Sequence, residues 1–396
     1  MTSERGFSLV EVMVSTFILL AVTGAVFTLV NPAQGTYRAQ PEVSDMQQRV
    51  RVAANALQQD LVMAGGGTYL GDASGSLLNF FAPVMPIRMT ATGSDMEAGV
   101  FYRPDAVTIM YVPSTSAQTT VASDMPQPSA EIKVEHVVGC PDSDRMCGFY
   151  DGQRAVIFDE SGSFDPFIVT HVQETGSIGH LQHNRDDFSK AYNVNARVAA
   201  LRMLTYYLQT NVQTNTFQLR QFDGQNDQPF VDNVVAFELE YLGDPRGPTM
   251  LRPVTETPGP WTSYGPTPPP LTASYPGSPY PNGENCAFTK DEGTGLQVTR
   301  LADLSGQGAS LVPLTEAMLT DGPWCPNNVS PMRFDADLLR VRTIRVRLRV
   351  QAASATLRGP AGVLFSYGGT SSGGTTFVPD LEVHFDVSPR NMNFGR

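Results

Sequence analysis

Glu11 is the first residue that raises a chemical question, because it is a carboxylate inside an otherwise apolar run. The run extends from Phe7 to Val30 and reads FSLVEVMVSTFILLAVTGAVFTLV. At 1.5 Å per residue, a helix of this length crosses a hydrocarbon core of roughly 30 Å. Inserting a carboxylate costs on the order of 2.5 to 3.5 kcal/mol of free energy at the membrane centre and less near an end of the helix. A carboxylate in such a segment therefore usually has a partner or a function. Glu11 therefore calls for a cation.

Two other interpretations of residues 1–30 compete with a functional membrane helix. A secretory signal has a basic first region, an apolar core of about 7 to 15 residues and a small-residue cleavage site. The flank MTSERG instead has one Arg and one Glu, and Val30-Asn31-Pro32 is not a small-residue site. A plain single-pass anchor, in which Glu11 is an incidental residue that snorkels to the membrane surface, stays open on physical grounds.

A hydrolase pattern occurs near the end of the chain. Residues 369–373 have the form G-x-S-x-G, and Asp380 and His384 follow in the order of a hydrolase triad. A nucleophile elbow needs a strand before it and a helix after it, whereas this Gly/Ser turn leads directly into a strand. The sequence therefore predicts no catalytic site, and we expect the protein not to be an enzyme.

A metal site is the next candidate, because His180 and His183 are followed by Asp186 and Asp187. Two histidines separated by two residues in a Gly-flanked loop are weak evidence for coordination. We therefore expect a solvated loop, with no metal and no cofactor.

Four cysteines form two pairs along the sequence, Cys140 with Cys147 and Cys286 with Cys325. An even number favours disulfides in an oxidising compartment, and four cysteines allow three connectivities. The expected pairing is the one between sequence neighbours. A four-thiolate zinc site is the alternative, although neither spacing is C-x2-C.

The rest of the chain is long and acidic. It has 35 Gly, 30 Pro, 17% charged residues and a net charge of -12. This composition favours strands and turns, and the length is sufficient for a sizeable core. A general nucleic-acid binder needs a basic face, so the charge argues against nucleic acid as a partner, although a local basic patch remains open.

A second helical pattern follows the apolar run. Asn31-Pro32 predicts a kink or an interruption, and Gly35 is a second weak point. Apolar residues then recur at spacings of three and four, at Val43, Met46, Val50, Ala53, Leu57 and Leu61. Residues 65–67 are glycines that end this amphipathic helix. The apolar face has no His or Cys, so we interpret it as core packing rather than a cofactor site.

Beyond Gly67 the pattern changes to short β-branched and aromatic runs bounded by Gly, Pro, Asp and Ser. These runs are 106–113, 131–139, 154–160, 166–174, 216–222, 233–243, 344–352 and 381–388. Residues 194–209 predict a possible second helix, although the end of this segment also fits a strand. We predict an α+β fold whose head is mostly antiparallel β.

The Pro-rich segment 245–283 interrupts the strands and carries Trp261, Tyr264, Tyr275 and Tyr280. Its proline density excludes regular helix or sheet. It is interpreted as a long surface loop or insertion. An exposed polyproline and aromatic surface for a partner or a sugar is the alternative.

Three late strands alternate apolar and charged residues. Arg345, Arg347 and Arg349 occupy one face of 344–350, and acidic residues occupy one face of the two other strands. The acidic residues are Glu238 and Glu240 in one strand and Glu382 and Asp386 in the other. We expect the Arg strand to lie beside an acidic strand, at roughly 0.2 to 1 kcal/mol per pair. A DNA-contacting Arg stripe is the alternative.

The residues Gly6, Phe7, Ser8, Leu9, Val10 and Glu11 resemble the class III signal of type IV prepilins and pseudopilins. The family has a short polar leader that ends in Gly, then Phe, a Glu and a long apolar helix. The resemblance implies cleavage between Gly6 and Phe7 by a prepilin peptidase, followed by N-methylation of Phe7. Size and helix pattern resemble the large minor pilins of the PilW type.

The resemblance also supplies a cation for Glu11. The new α-amino group of Phe7 in one subunit could face Glu11 of its neighbour, which would set the register of a helical filament. The implied partners are the peptidase, other major and minor pilins and the inner-membrane assembly platform. The implied location is the inner membrane, with a single span and a periplasmic head, and then the pilus or cell surface.

The sequence therefore predicts four regions and one principal function. The regions are a leader (1–6), a membrane and filament-core helix (7–30), an amphipathic spine helix (31–67) and a β-rich head (68–396) with the insertion 245–283. The resemblance implies a minor pilin that primes, assembles or caps a type IV pilus. A pseudopilin of a type II secretion system and a pilus-tip adhesin are the alternatives.

Overall fold

The computed structural model describes residues 8–67, 75–87, 102–183, 188–211, 216–257, 259–308, 310–359 and 377–393. The chain divides into two compact units. The first unit is Met1–Val52 with Arg349–Glu382, and the second is Ala53–Leu348 with Val383–Arg396. The predicted α+β fold, a long N-terminal helix and a mostly antiparallel β head, is confirmed.

One continuous helix, α1, runs from Leu9 to Met63. Asn31-Pro32 predicts a kink or an interruption, but no interruption is present there or at Gly35. A proline removes one backbone donor and crowds the preceding turn, which can bend a helix without ending it. A single Pro and a single Gly therefore do not divide this 55-residue helix.

The end of α1 follows the predicted glycines. The Gly66 N–H donates to Met63 O at 3.0 Å, and Gly65 adopts a left-handed φ of 77°. Left-handed backbone of this kind ends many helices, and glycine adopts it without a Cβ penalty. The Gly65 N–H then donates to Met110 O at 3.0 Å, so the chain leaves the helix hydrogen-bonded to a strand.

Twenty strands and six short 3-10 helices are assigned in the described residues. The strands are β1 (Val84–Met85), β2 (Ala106–Tyr111), β3 (Gln118–Thr120), β4 (Ile132–Val134), β5 (Arg154–Phe158), β6 (Phe164–Ile168), β7 (His171–Thr175), β8 (Ile178–Gln182), β9 (Arg197–Ala200), β10 (Arg202–Asn211), β11 (Thr216–Phe222), β12 (Asp227–Asp232), β13 (Val234–Gly243), β14 (Phe288–Lys290), β15 (Gln297–Thr299), β16 (Val312–Leu314), β17 (Trp324–Cys325), β18 (Phe334–Asp335), β19 (Val341–Val350) and β20 (Leu381–Val387). The 3-10 helices are Leu77–Asn79, Ser305–Gln307, Ala317–Leu319, Ala336–Arg340, Ala355–Leu357 and Arg390–Met392.

These strands form six small sheets. The largest has the order β1-β2-β10-β11-β12, and two four-stranded sheets have the orders β16-β13-β19-β20 and β3-β9-β5-β6. A three-stranded sheet, β4-β8-β7, and the hairpins β14-β15 and β17-β18 complete the set. All neighbouring strands of the five-stranded sheet pair antiparallel.

The possible helix at 194–209 is wrong, because this segment forms β9 and most of β10. Thr205 pairs with Thr108 of β2 on one side and with Phe222 of β11 on the other. Its hydroxyl also lies 2.9 Å from that of Thr108 inside the core. A β-branched and tyrosine-rich run that is buried between two strands gains more from the sheet ladder than from an isolated helix.

The second unit has a core cluster that residues 117–200 supply. Ile157, Phe167, Val198 and Leu181 are among its fully buried or nearly fully buried members. Phe167 packs edge-on against Phe188 with ring centroids 5.4 Å apart. Strands β4, β5, β6, β8 and β9 contribute side chains to this cluster, and most of these side chains are β-branched or aromatic.

The last turns of α1 belong to the second unit and bury one apolar stripe there. Ala53, Leu57 and Leu61 have no exposed surface. Asp60, on a flank of this stripe, accepts a 2.6 Å hydrogen bond from the Tyr206 hydroxyl of β10. In the first unit Met46 and Val50 are also buried, but Val43 of the predicted stripe remains 38% exposed.

The Pro-rich segment is not simply a surface loop, because part of it is core. Residues 264–269 are buried, and the Tyr264 hydroxyl donates to Arg246 O at 2.7 Å. Residues 270–274 are exposed again. The polyproline stretch therefore lies mainly inside the second unit. Burying these prolines leaves no backbone N–H without an acceptor, because proline has none.

We predict that Leu57→Ala lowers the free energy of unfolding by about 2 to 5 kcal/mol. The substitution removes side-chain carbons from a fully buried site that shares its stripe with Ala53 and Leu61. Gln58→Ala is the matched control, because Gln58 is exposed on the next helical position and its replacement costs about 0.5 kcal/mol or less. Urea denaturation of both variants checks the difference, and equal midpoints would contradict the packing.

Candidate functional site

The N-terminal segment carries the predicted site, of which the structure describes only part. Gly6 and Phe7, the predicted cleavage and methylation residues, lie outside the described residues. Ser8 and Glu11 are described and interact at the start of α1. The Ser8 N–H donates to Glu11 Oε2 at 3.0 Å, and the Glu11 N–H donates to Ser8 Oγ at 3.2 Å. This reciprocal pair is a capping box.

The capping box gives Glu11 a local partner that the sequence analysis missed. The first N–H groups of a helix have no intrahelical acceptor and carry partial positive charge. In an apolar surrounding, an unsatisfied backbone donor costs several kcal/mol. The spacing S-x-x-E at residues 8–11 was the signal that could have revealed this role.

The apolar helix that follows is long enough to cross a membrane. Residues Leu9–Thr28 have a mean hydropathy of 2.2, and none of this span is buried by the protein. Its hydroxyl groups are satisfied within the helix, as Thr16 and Thr23 show by donating to the carbonyls of Val12 and Leu19 at 2.6 Å. The segment therefore presents an almost entirely apolar cylinder.

We predict that Ser8→Ala speeds hydrogen exchange at the Glu11 amide by about fivefold, because it removes the acceptor of that N–H and about 1 kcal/mol of capping. Glu11→Gln retains an acceptor for the Ser8 N–H, so exchange at Ser8 should change less than in Glu11→Ala. Amide exchange by mass spectrometry in detergent measures both positions. Identical exchange in Glu11→Gln and Glu11→Ala would remove the capping role of the side chain.

Both disulfides have the connectivity expected from the sequence. Cys140 is bonded to Cys147 and Cys286 to Cys325, with Cα separations of 5.7 and 5.1 Å. The first joins residues only seven positions apart in the sequence. The second connects Cys286, which lies just after the Pro-rich segment, to β17, and both of its cysteines are fully buried.

The histidines considered for metal binding have other partners. His180 Nδ1 lies 3.0 Å from Glu131 Oε1, and His183 Nε2 lies 2.8 Å from the carbonyl of Ala130. Asp186 and Asp187 lie outside the described residues. Within the described part of the chain, no group of three or more His, Cys, Asp or Glu residues is placed to hold a metal ion.

The hydrolase pattern is only partly described. Residues 369–373 lie outside the described residues, and Asp380 forms an ion pair of 3.1 Å with Arg349. A second cluster has a serine beside a lysine, since Lys190 Nζ lies 3.0 Å from Ser161 Oγ and 2.6 Å from Asp159 Oδ2. An ion pair with Asp159 uses the charged ammonium, whereas a general base must be a neutral amine. This cluster therefore fits a structural role.

The predicted pairing of the Arg strand with acidic strands is confirmed. In the second unit, Arg345 bonds both Glu240 at 2.9 Å and Asp386 at 3.0 Å, and Arg347 bonds Glu238 at 2.9 Å. In the first unit, Arg349 pairs with Asp380 and, at 3.6 Å, with Glu382. A DNA phosphate would have to displace these carboxylates, so the Arg stripe does not favour nucleic acid.

Three buried carboxyls in the second unit have raised pKa values. Burial raises the pKa of Asp335 to about 7, against the lowering effect of N–H groups from Asp337 and Gly322. Burial also raises the pKa values of Asp337 and Asp165 to about 6. Asp337 is paired with the buried guanidinium of Arg340 at 2.6 Å, whereas Asp165 accepts hydrogen bonds from Ser189 and Tyr192.

We predict that the second unit loses stability as the pH rises from 5 to 8. The folded pKa of Asp335 lies above its ordinary value of 3.8, so its stabilising contribution is complete below 3.8 and disappears as the pH rises through about 7. Asp335→Asn should flatten this profile, while lowering stability at pH 5 because one acceptor is lost. Denaturation at both pH values measures the difference, and an unchanged slope in Asp335→Asn would contradict the assignment.

Comparison with known families gives one match. Residues 1–27 match the model of the prokaryotic N-terminal methylation motif. No curated protein and no solved structure matches the chain. The motif supports a type IV pilin-like or pseudopilin protein, a class of structural subunits that prepilin peptidase processes and that assemble with other pilins. This motif and the apolar helix Leu9–Thr28 together are consistent with anchoring in a membrane.

Proposed function

We propose that this protein is a minor pilin of a type IV pilus, which assembles through its N-terminal helix. The observation that carries the proposal is the position of the motif directly before the apolar helix. Gly6 and Phe7 precede Ser8 and Glu11, and the exposed apolar span Leu9–Thr28 begins at once. An apolar cylinder with a carboxylate near its start can pack among identical or related helices in a lipid or a filament core.

In the proposed mechanism, cleavage after Gly6 creates the cation that Glu11 needs. The new amino group of Phe7 on one subunit pairs with Glu11 of a neighbour, and N-methylation leaves that amine able to carry a charge. Because the contact joins two different surfaces, its repetition builds a helical filament rather than a closed dimer. The capping box supports this role, since it holds the carboxylate at the helix start.

The large head supports a minor rather than a major subunit. It would lie on the periplasmic side while the helix is in the inner membrane, and at the pilus tip or in the initiating complex after assembly. The assembly platform and other pilins would be its partners. A pseudopilin of a type II secretion system uses the same motif, and the genes beside this one would distinguish the two systems.

A pilus-tip adhesin is the second candidate from a different class. Residues 257–283 contain no charged side chain, and two partly buried tyrosines of this segment form hydrogen bonds to backbone carbonyls. The Tyr275 hydroxyl donates to Thr267 O at 2.7 Å, and the Tyr280 hydroxyl donates to Trp324 O at 3.2 Å. A neutral loop that such bonds hold in one conformation would pay less conformational entropy when it binds a ligand.

We predict that coexpression with a prepilin peptidase yields a mature chain that begins at N-methylated Phe7. Mass spectrometry of the membrane-extracted protein checks the new terminus. The Glu11→Ala variant should still be cleaved, because the scissile bond lies elsewhere. Sheared filaments should nevertheless contain about tenfold less of this variant, which corresponds to a loss of roughly 1.4 kcal/mol in the free energy of assembly. Glu4→Ala is the matched control, since that carboxylate leaves with the leader.

Two outcomes would count against this function. A mature terminus that remains at Met1 would remove the pilin assignment altogether. Normal incorporation of Glu11→Ala, with cleavage intact, would leave the assignment in place and remove the register role of Glu11.

A further inference from the structure

A shallow cleft in the second unit lies where the Pro-rich segment meets two other parts of the chain. It encloses about 260 Å³ of open space. Among the residues that line it are Pro260 and Trp261 of the Pro-rich segment, Asn79 and Phe80 at the end of the first 3-10 helix, and Glu160 in the turn after β5. We call it the Trp261 cleft. Sites for small ligands usually combine apolar walls with a few polar groups in this way.

The indole of Trp261 is held in place by bonds within its own segment. Its Nε1–H donates to the carbonyl of Glu256 at 2.6 Å, and the Trp261 carbonyl accepts from the Leu251 N–H at 2.7 Å. A Cβ on Gly259 would lie 3.0 Å from the ring, so a glycine lets the chain approach the ring this closely. Trp261 is only partly buried. Because the indole N–H is already bonded, the ring offers a ligand its apolar surface, and a fixed ring loses little entropy on binding.

The charges at the cleft compensate each other. The Cζ atom of Arg197 lies 4.6 Å from the centre of the Phe80 ring, and Nη2 of the same guanidinium lies 3.6 Å from Glu160 Oε1. Arg197 thereby covers one face of Phe80 and balances the charge of Glu160. The Glu160 side chain is nevertheless 36% exposed. The cleft therefore has little net charge, while the carboxylate can still accept hydrogen bonds from a ligand.

These walls favour a neutral ligand that has both an apolar face and hydroxyl groups. An anion would meet the carboxylate of Glu160, and a cation would compete with Arg197 for it. A hydroxyl group both donates and accepts, which suits a carboxylate that only accepts and an Asn79 amide that does both. The C–H groups on one face of a sugar ring pack well against the partly negative face of an aromatic ring. A sugar ring thus matches both the apolar and the polar walls.

We propose that the Trp261 cleft binds a single neutral hexopyranose ring at the end of a glycan. One face of the sugar packs on the indole of Trp261, and its hydroxyl groups bond Glu160 and Asn79. The limited open space favours one ring over a longer chain inside the cleft. The assignment rests on the adhesin candidate, to which it gives a ligand class, and not on the minor-pilin proposal. Cleavage at Phe7 and sugar binding are measured separately, so either can fail while the other holds.

Saturation-transfer NMR tests the proposal on the full chain in a detergent without a sugar headgroup. The probes are the methyl glycosides of glucose, galactose, mannose and N-acetylglucosamine. We expect at least one of them to bind with a Kd on the order of 1 mM, since a ligand of one ring gains little binding energy. N-acetylneuraminic acid and choline, which carry a negative and a positive charge, should bind at least about tenfold more weakly.

Variants of the chain locate the site. Trp261→Ala should weaken sugar binding at least about tenfold, because it removes the ring on which the sugar packs. Glu160→Ala should weaken binding several-fold by removing an acceptor for the hydroxyl groups. Glu135→Ala is the matched control, because Glu135 is an exposed carboxylate of the same unit outside the lining of the cleft.

A second readout uses the two tryptophans of the chain, Trp261 and Trp324. Trp324 does not line the cleft, so Trp324→Phe should bind the sugar as the unchanged chain does. In this variant Trp261 is the single tryptophan, and its fluorescence should change saturably with the sugar at the same Kd. Circular dichroism establishes that each variant is folded. If Trp261→Ala unfolds, Glu160→Ala and the fluorescence of Trp324→Phe still decide the question.

Several results would overturn the inference. Absence of saturable binding by every neutral glycoside up to about 50 mM would do so, as would unchanged binding in Trp261→Ala. An equal loss in Glu135→Ala would show a general effect of charge rather than a site at Glu160. A sugar that binds without changing the fluorescence of Trp324→Phe would lie elsewhere on the chain. Tighter binding of choline or N-acetylneuraminic acid would assign the cleft to a charged ligand.

Discussion

Twenty consecutive helical residues without any cover from their own protein set the main constraint on this molecule. Between Leu9 and Thr28 the surface is apolar on every side, and no sheet of the described chain shields it. Water exposure of so much apolar area costs about 25 cal/mol for each Å², so the segment requires lipid or other helices around it. Everything polar in this region must consequently be satisfied within the helix.

Ser8 and Glu11 show how that requirement is met at the helix start. The two side chains and two backbone N–H groups satisfy one another, so an acidic residue can lie near the end of an apolar segment without leaving donors unpaired. The same carboxylate can still meet a cation with its remaining lone pairs. A local capping role and a role between subunits are therefore compatible in one side chain.

Sequence patterns predicted much of the fold because they reflect local physics. The alternation in β13, β19 and β20 indicated both the strands and their ionic partners, since period-two spacing assigns each residue to a face. The prediction of a helix at residues 194–209 was wrong. Ala, Leu, Met and Arg favour a helix locally, but Tyr206 and Tyr207 pair with β2 on one side and β11 on the other. Partners distant in sequence decided that segment, and no local pattern contains them.

The Pro-rich segment illustrates a different limit. Its composition excluded regular structure correctly, but composition does not reveal that Tyr264 and its neighbours are buried. Burial depends on cover from remote residues such as Leu339, which lies 3.3 Å from the place where Gly265 would carry a Cβ. The pKa values of Asp335 and Asp337 show the same limit, because burial raises them and composition does not reveal burial.

The Cys286–Cys325 disulfide also changes how the head responds to tension. The bond encloses a sequence separation of 39 residues, which as an extended chain would measure roughly 130 Å. A pulling force applied outside the two cysteines passes through the sulfur atoms and cannot draw out this length. Other parts of the head can therefore unfold under force, while the backbone between the two cysteines, including the β14-β15 hairpin, carries no load.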